Sequence, residues 1–488
     1  MRMKWQRALN WLGTDTRDDF FPDLLRFKDI SKNAETYCEV NRHRLTHYNT
    51  ESFEMLLVPK SNMLKRDAVS LSLPFRVLYN AIFAELFPVI APHLSPQCYS
   101  YRIYDPNRDD GDYPFPSKHT SEAWNRFNND FRKALGEDKK RWGVTTDLTN
   151  FYEHINIRDL VGVLRLLIPS QDRQSLSPIL QLMQKALEYV SRGGFGIPQN
   201  YDASSFFGSA FLTPVDRAMC SIRGLQYFRW VDDIRIVTDS RAEVIDAITS
   251  LQNEAQKLGM FLNSAKTQII EPDSKDFHRA MDASHDSRLR DYEHAIASCH
   301  EATIRSQIPK MLKDLEEAEL SNNDRMVRAY GSKILDAAQF VEVRSDCLAP
   351  LADIALRQLK SRPGRADWWY RFLVPDLTSN LVSELLQILR NDDTNRFEWT
   401  NMYIVMALIR ARDGLPGELI DLLREFAFGQ HCFPLRAWAI VCLGRHSDDI
   451  NRLRIANDFL TDSSKPFLVR AALTAIQEVG YSKERSVL

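Results

Sequence analysis

The ten residues FRWVDDIRIV, positions 228–237, set two adjacent carboxylates between two short apolar stretches. Alternation in IRIV reads as a strand and FRW as its hairpin partner, which leaves Asp232 and Asp233 at the bend. Like charges this close repel, and each is better hydrated and apart. A half-buried pair of this kind therefore asks for a cation. An exposed Asp-Asp turn is the ordinary alternative, and the rest of the chain has to decide between them.

Residues 1 to about 275 mix helical and strand patterns, whereas beyond about 280 the strand signals vanish. VLYNAIFAELFPVI (77–90) reads as an amphipathic helix, and residues 105–117, rich in Asp, Gly and Pro, read as a loop. RWGVTTD (141–147) is a strand pattern with an acid at its end. Asn156 is placed as the N-cap of a helix that runs apolar through Leu160, Val163, Leu164 and Leu167. Three later stretches, from Asn401, Arg436 and Arg470, resemble one another at spacings of 35 and 34 residues, the range in which helix-pair solenoids repeat. The expected fold class is α+β over 1–275, followed over 276–488 by an all-α region for which a helix-pair solenoid is one reading.

A chain of 488 residues is long enough for two or three domains. Its formal net charge of −2 gives no footprint of a protein that grips long duplexes nonspecifically. Seven scattered cysteines without a CxxC pair predict reduced thiols, as in a cytoplasm, and no structural zinc. Neither a signal peptide nor an uninterrupted run of 18 apolar residues is read, so no membrane span is expected.

Three further elements keep company with the acidic hairpin. Asp147 ends its strand in VTTDLTNFYEHI, with Tyr152 five residues on. A glycine-proline loop, GGFGIPQN, leads into a helix carrying Phe207 and Phe211. Downstream, Lys266-Thr267 precedes an apolar pair. Each has a plain structural reading: a turn cap, a core ring, a solvated lysine. In this order they suit nucleotidyl transfer. Two Mg²⁺ ions roughly 3.5–4 Å apart activate an attacking hydroxyl and stabilise the leaving pyrophosphate. Magnesium takes hard oxygens at about 2.0–2.1 Å and completes its shell with water and substrate phosphates. Carboxylates from neighbouring strands meet that need. Lys266 is placed to approach the departing phosphates, and Tyr152 to lie under the incoming sugar. Arg76 and Lys65 are the candidates for gripping the triphosphate.

The segment over about 60–270 resembles the palm and fingers of a reverse transcriptase. TTDLTNFYEHI is similar to the first acidic motif of that family, GIPQN…S to GxPQG…S with Ser204 as the serine, RWVDD to RYxDD, and GMFLNSAKT to GxxxNxxKT. CYSYR (98–102) resembles the element before the palm. The resemblance implies Asp147, Asp232 and Asp233 as catalytic metal ligands for two Mg²⁺ ions, with Mn²⁺ as an alternative. It further implies Tyr152 as the sugar gate favouring deoxynucleotides, and Gln199 and Ser204 as nucleotide-binding residues. The sequence departs from the pattern at Trp230, Asn200, Ser205, Phe207 and Ser209. Asn200 replaces a close-approach glycine, which sets ordinary templating in question, and no thumb pattern follows the palm.

A reverse-transcriptase-like palm followed by a helical, HEAT-like region resembles the bacterial abortive-infection polymerases. That resemblance implies a template-independent DNA polymerase primed by a tyrosine of the protein itself, acting in defence against phage. Its substrates would be dNTPs, its product single-stranded DNA attached covalently to the protein, and its state a homo-oligomer (trimer or hexamer) in the bacterial cytoplasm. Tyr37 and Tyr48, in a polar N-terminal stretch, are the candidate primers. The alternatives are a conventional RNA-templated reverse transcriptase and a vestigial polymerase fold acting as a scaffold through its helices.

Overall fold

Strand character in the described residues is confined to six short segments: β1 (Phe53–Pro59), β2 (Lys65–Leu71), β3 (Trp142–Thr146), β4 (Gln226–Trp230), β5 (Asp233–Thr238) and β6 (Gln268–Ile270). β1 pairs with β2, and the other four form one antiparallel sheet in the order β4-β5-β3-β6. The computed structural model describes residues 3–12, 20–25, 27, 30, 33–41, 43, 45, 47, 53–60, 64–101, 120–136, 140–282, 284–321, 323–391, 393, 396–460 and 466–477. Tyr48, Arg102 and the loop read at 105–117 lie outside them.

Two compact units result, one of residues 1–53 and 69–282, the other of 54–68 and 283–488. The first contains the sheet. On one side, Phe228, Val237 and Ile270 pack with Phe127, Phe131 and Leu135 of the helix Thr120–Gly136 and with Phe277. Behind β5 runs the helix Arg241–Lys257. It is started by a capping box in which Ser240 accepts from the Glu243 amide while the Glu243 carboxylate takes the Ser240 N–H. Asn156 caps Ile157–Leu167 as read, accepting from the amides of Arg158 and Asp159. The buried face there is Leu160, Val161, Leu164 and Leu167, with Val163 only half-buried.

The helix Leu73–Ile90 departs from its amphipathic reading. It is buried on nearly every side, Arg76 and Asn80 included. Phe83 and Phe87 pack on Phe206, and Tyr79 on Phe207, both rings belonging to the helix Asp202–Phe211. Residues 73–93 are long and apolar enough to cross a membrane by length and composition, yet 78% of that stretch is buried inside the protein. It is the core helix of its unit, and continuous apolarity rather than one stripe is what such a position requires.

Beyond residue 283 the described second unit is helical. The three similar stretches fall on Glu398–Leu408, Phe433–Arg445 and Pro466–Ala475, and the middle helix packs on both of the others. The first two of these helices bury residues around most of their circumference, whereas the intervening Gly417–Phe428 buries one side through Leu419, Leu423 and Phe426. Hairpin residue Glu54 belongs to this unit and accepts from the Phe433 amide at 2.8 Å. Close helix contact depends on Gly444, where an added Cβ would lie 2.5 Å from the Ala475 Cβ and 2.9 Å from its Cα. Gly444→Ala should therefore destabilise this unit by about 1–3 kcal/mol, read as a lowered denaturation midpoint with an unchanged slope. A neutral result would mean that these helices slide apart freely.

Candidate active site

The pairing Trp230↔Asp233 leaves Val231 and Asp232 as a two-residue loop at the tip of the β4–β5 hairpin. Val231 has φ 52°, in the left-handed region that β-branched residues rarely adopt. Both sides of this residue are tied down. Its N–H donates to Ser100 Oγ (3.2 Å), and its carbonyl accepts from Arg229 Nη1 (2.8 Å). Arg229 is itself wholly buried. Its Nε and Nη2 donate to the two carboxylate oxygens of Asp216 at 2.6 and 2.5 Å, and Nη2 also donates to the Ser209 carbonyl (3.0 Å). Tyr227 donates to Asp216 at 3.1 Å, and Ser100 and Ser209 share a hydrogen bond of 2.9 Å. Burial works against the guanidinium charge, but Asp216 outweighs it and holds Arg229 firmly protonated. A strained turn is thus fixed by a buried ion pair.

Asp147 follows the last residue of β3. The register Thr146↔Ile234 carries it to the level of Asp233 one step further on. Residues 261–267 run alongside. The Thr149 amide donates to the Phe261 carbonyl (2.8 Å), the Asn263 amide to the Asp147 carbonyl (2.9 Å), and Thr146 and Thr267 share a hydroxyl bond of 2.7 Å. This brings Lys266 Nζ into an ion pair with Asp147 Oδ2. The other oxygen, Asp147 Oδ1, is buried with no hydrogen-bond partner. Burial, with the charges of Asp147 and Asp233 adding to it, pushes the Asp232 carboxyl up to about 6, while its own amide and Lys266 pull the other way. Asp233 stands 3.8 Å from Arg235 Nη2, whose guanidinium lies 4.2 Å over the Phe127 ring and donates to Asn128 (3.0 Å). Desolvated Asp232 and the orphaned oxygen of Asp147 are hard oxygen donors of the kind a divalent cation takes. Asp147 and Asp232 would hold it, with Asp233 beside them.

The remaining predicted site residues divide. Tyr152 sits in the short helix Phe151–His154, close enough to Asp232 that, after burial, this charge raises its hydroxyl further. Its hydroxyl bonds Ser205 Oγ at 3.0 Å. Gln199 donates to Glu153 at 3.2 Å. Ser204 does not face the site: it is fully buried and bonds the Tyr79 hydroxyl at 2.8 Å, and the neighbouring Ser205 is the serine of this helix that meets Tyr152. Arg76 is buried with its guanidinium 5.0 Å from the Phe27 ring and 4.7 Å from the Tyr201 ring. Lys65 belongs to the second unit, 6.0 Å from the Phe397 ring. Tyr37 packs on the cluster of Leu9, Leu12, Phe27, Ile30, Leu45 and Val77, with a buried hydroxyl. Asn200 holds φ 61°, a conformation asparagine tolerates, so the turn a glycine would make is kept. Arg229, Asp216, Ser100 and Ser209 were missed. The only signal for the first was the arginine of the RWVDD stretch.

Residues 73–295 match the family profile described as "Reverse transcriptase (RNA-dependent DNA polymerase)". Over this segment, just under half of the chain, the protein is similar to the reverse-transcriptase family. The matched span contains the acidic hairpin, Asp147, Tyr152 and Lys266. No curated protein sequence matches the chain. Among solved structures, it is similar to apo telomerase from Candida tropicalis truncated from its C-terminal domain, at 14% identity and a TM-score of 0.31, over 49% of this chain and 56% of that one. It is also similar to telomerase from Candida albicans in complex with a TWJ fragment of telomeric RNA, at 10% identity and a TM-score of 0.33, over 77% of this chain and 67% of that one. The chain thus spans little more than half the length of the first of these structures.

Two outcomes follow from the geometry of the hairpin tip. Asp216→Asn strands the Arg229 charge in the core and should cost about 3–5 kcal/mol in unfolding free energy; a cost below 1 kcal/mol would remove the pair from its organising place. The folded state holds the Asp232 proton more tightly than the unfolded chain, whose ordinary value is 3.8. The resulting stability is full below about 3.8 and lost as pH rises through about 6. In EDTA, Asp232→Asn should gain in melting temperature relative to wild type between pH 4 and pH 8. A gap independent of pH would contradict the shift.

Proposed function

We propose that this protein is a DNA polymerase of the reverse-transcriptase type that extends DNA without a template from one of its own tyrosines, in abortive-infection defence. The observation that carries the polymerase reading is the meeting of Asp147, Asp232, Asp233 and Lys266 at one hairpin tip in a segment similar to the reverse-transcriptase family. A pair of Mg²⁺ ions, once bound, would supply activation of the attacking hydroxyl and charge neutralisation at the leaving pyrophosphate. Asp147 and Asp232 would hold them, Asp233 would support the site, and Tyr152 would lie under the deoxyribose. Lys266, paired to Asp147 without substrate, would be released toward the departing phosphates. Template independence is favoured by the near-neutral charge and by the helices that follow the palm in place of a thumb. Successive stacking of the three similar helices favours a HEAT-like reading of that region.

One observation favours RNA-templated synthesis instead. Asn200 keeps the turn that its replacement of glycine had set in doubt. Purified protein given Mg²⁺ and dNTPs, with no nucleic acid, separates the two. Nucleotide joined covalently to a tyrosine, mapped by mass spectrometry after nuclease digestion, supports self-priming. Strict dependence on added primer and template overturns it. Asp147→Asn and Asp232→Asn should each lower incorporation by about 100- to 1,000-fold or more while the protein stays folded. Retained incorporation would remove the carboxylates from the chemistry.

A further inference from the structure

The helix Asp202–Phe211 reaches the sugar-gate residue at two points. Ser205 Oγ and the Tyr152 hydroxyl share the 3.0 Å bond, and both side chains are half-buried. One turn along, an added Cβ at Gly208 would lie 2.8 Å from Phe151 Cε1, 3.2 Å from its Cζ and 3.6 Å from Tyr152 Cε1. The missing side chain is therefore the space in which the Phe151–Tyr152 ring pair sits, at a centroid separation of 5.2 Å. Asp202, three residues before Ser205 and so on the same helix face, accepts from the Tyr101 hydroxyl at 2.7 Å. Ser204, 100° further round the helix, bonds Tyr79 in the core. One face of this helix thus holds two tyrosine hydroxyls, while the adjoining face is anchored.

We infer that Ser205 and Gly208 set the selectivity of this polymerase between deoxyribose and ribose, by fixing how far the Tyr152 ring projects toward the sugar. The inference rests on the reading of Tyr152 as the gate and adds what aims it. A tyrosine hinged at Cα alone swings about χ1 and χ2, and a ring displaced by about 1 Å no longer excludes a 2′-hydroxyl sharply. Bonding its far end to a rigid helix removes that freedom, and Gly208 makes room for Phe151, the ring against which Tyr152 packs. Ser205 and Gly208 are positioning residues, since neither touches the reacting atoms.

The test is the ratio of kcat/KM for dNTP over rNTP incorporation by the full chain with Mg²⁺. Ser205→Ala should lower the ratio by about 3- to 10-fold, the worth of one hydrogen bond. Ser205→Thr, which keeps the hydroxyl, should restore it. Tyr152→Phe removes the other end of the same bond, so it should match Ser205→Ala, and the double variant should fall no further. Gly208→Ala should lower the ratio as well. Tyr152→Val serves as the reference for the gate itself. If Tyr152→Val collapses the ratio while Ser205→Ala leaves it at the wild-type value, the latch is wrong and the gate stands. If Tyr152→Val leaves the ratio unchanged, the gate reading fails and the latch falls with it.

Discussion

The ion pair of Arg229 and Asp216 is the contact on which the geometry of the acidic hairpin depends. Both side chains are sealed from water, so their attraction works largely against the desolvation that burial imposes, and the pair is a weak source of net stability. What it supplies is definition. Asp216 lies in the helix Thr213–Cys220 and Arg229 in the strand beside it, and the Ser209 carbonyl accepts from the same guanidinium on a third element. Through Nη1, the same guanidinium reaches the carbonyl of Val231, the residue held against its backbone preference. Remove the pair, and nothing else described here holds that carbonyl where the turn needs it.

Tension concentrates at the tip that this clamp supports. Asp232 is desolvated and flanked by two more acids, which is why its proton is held up to about 6. Lys266 relieves part of this through Asp147, and Arg235, stacked on Phe127, faces Asp233. Neither cation answers Asp147 Oδ1. Under-compensated charge of this kind is where folds surrender stability for function.

Reading of the chain succeeded where physics is local. The hairpin, the strand ending at Asp147 and the Asn156 cap follow from alternation, turn length and side-chain acceptors over a few residues, and all three appear. It failed where the answer depends on what lies across the core. The helix over 77–90 looked one-sided, but partners such as Phe206 and Phe207 lie more than a hundred residues away and close over its other faces. Arg76 looked free to bind phosphate, and aromatic rings from two distant segments enclose it. Ser204 matched a motif by position, yet a phase of 100° per helical residue turns it inward and presents Ser205 instead.

The sequence alone suffices to nominate the residues proposed for the chemistry, because carboxylates, a lysine and a ring stand in a set order along the chain. It also determined that strands give way to helices near residue 280, since periodicity is a property of neighbours. Tertiary structure alone decided that Asp147, 85 residues from Asp232, stands at the same level of one sheet, and that a buried arginine holds the turn between them. Register between distant strands and the pairing of buried charges are set by packing of the whole unit. No window of sequence contains that information.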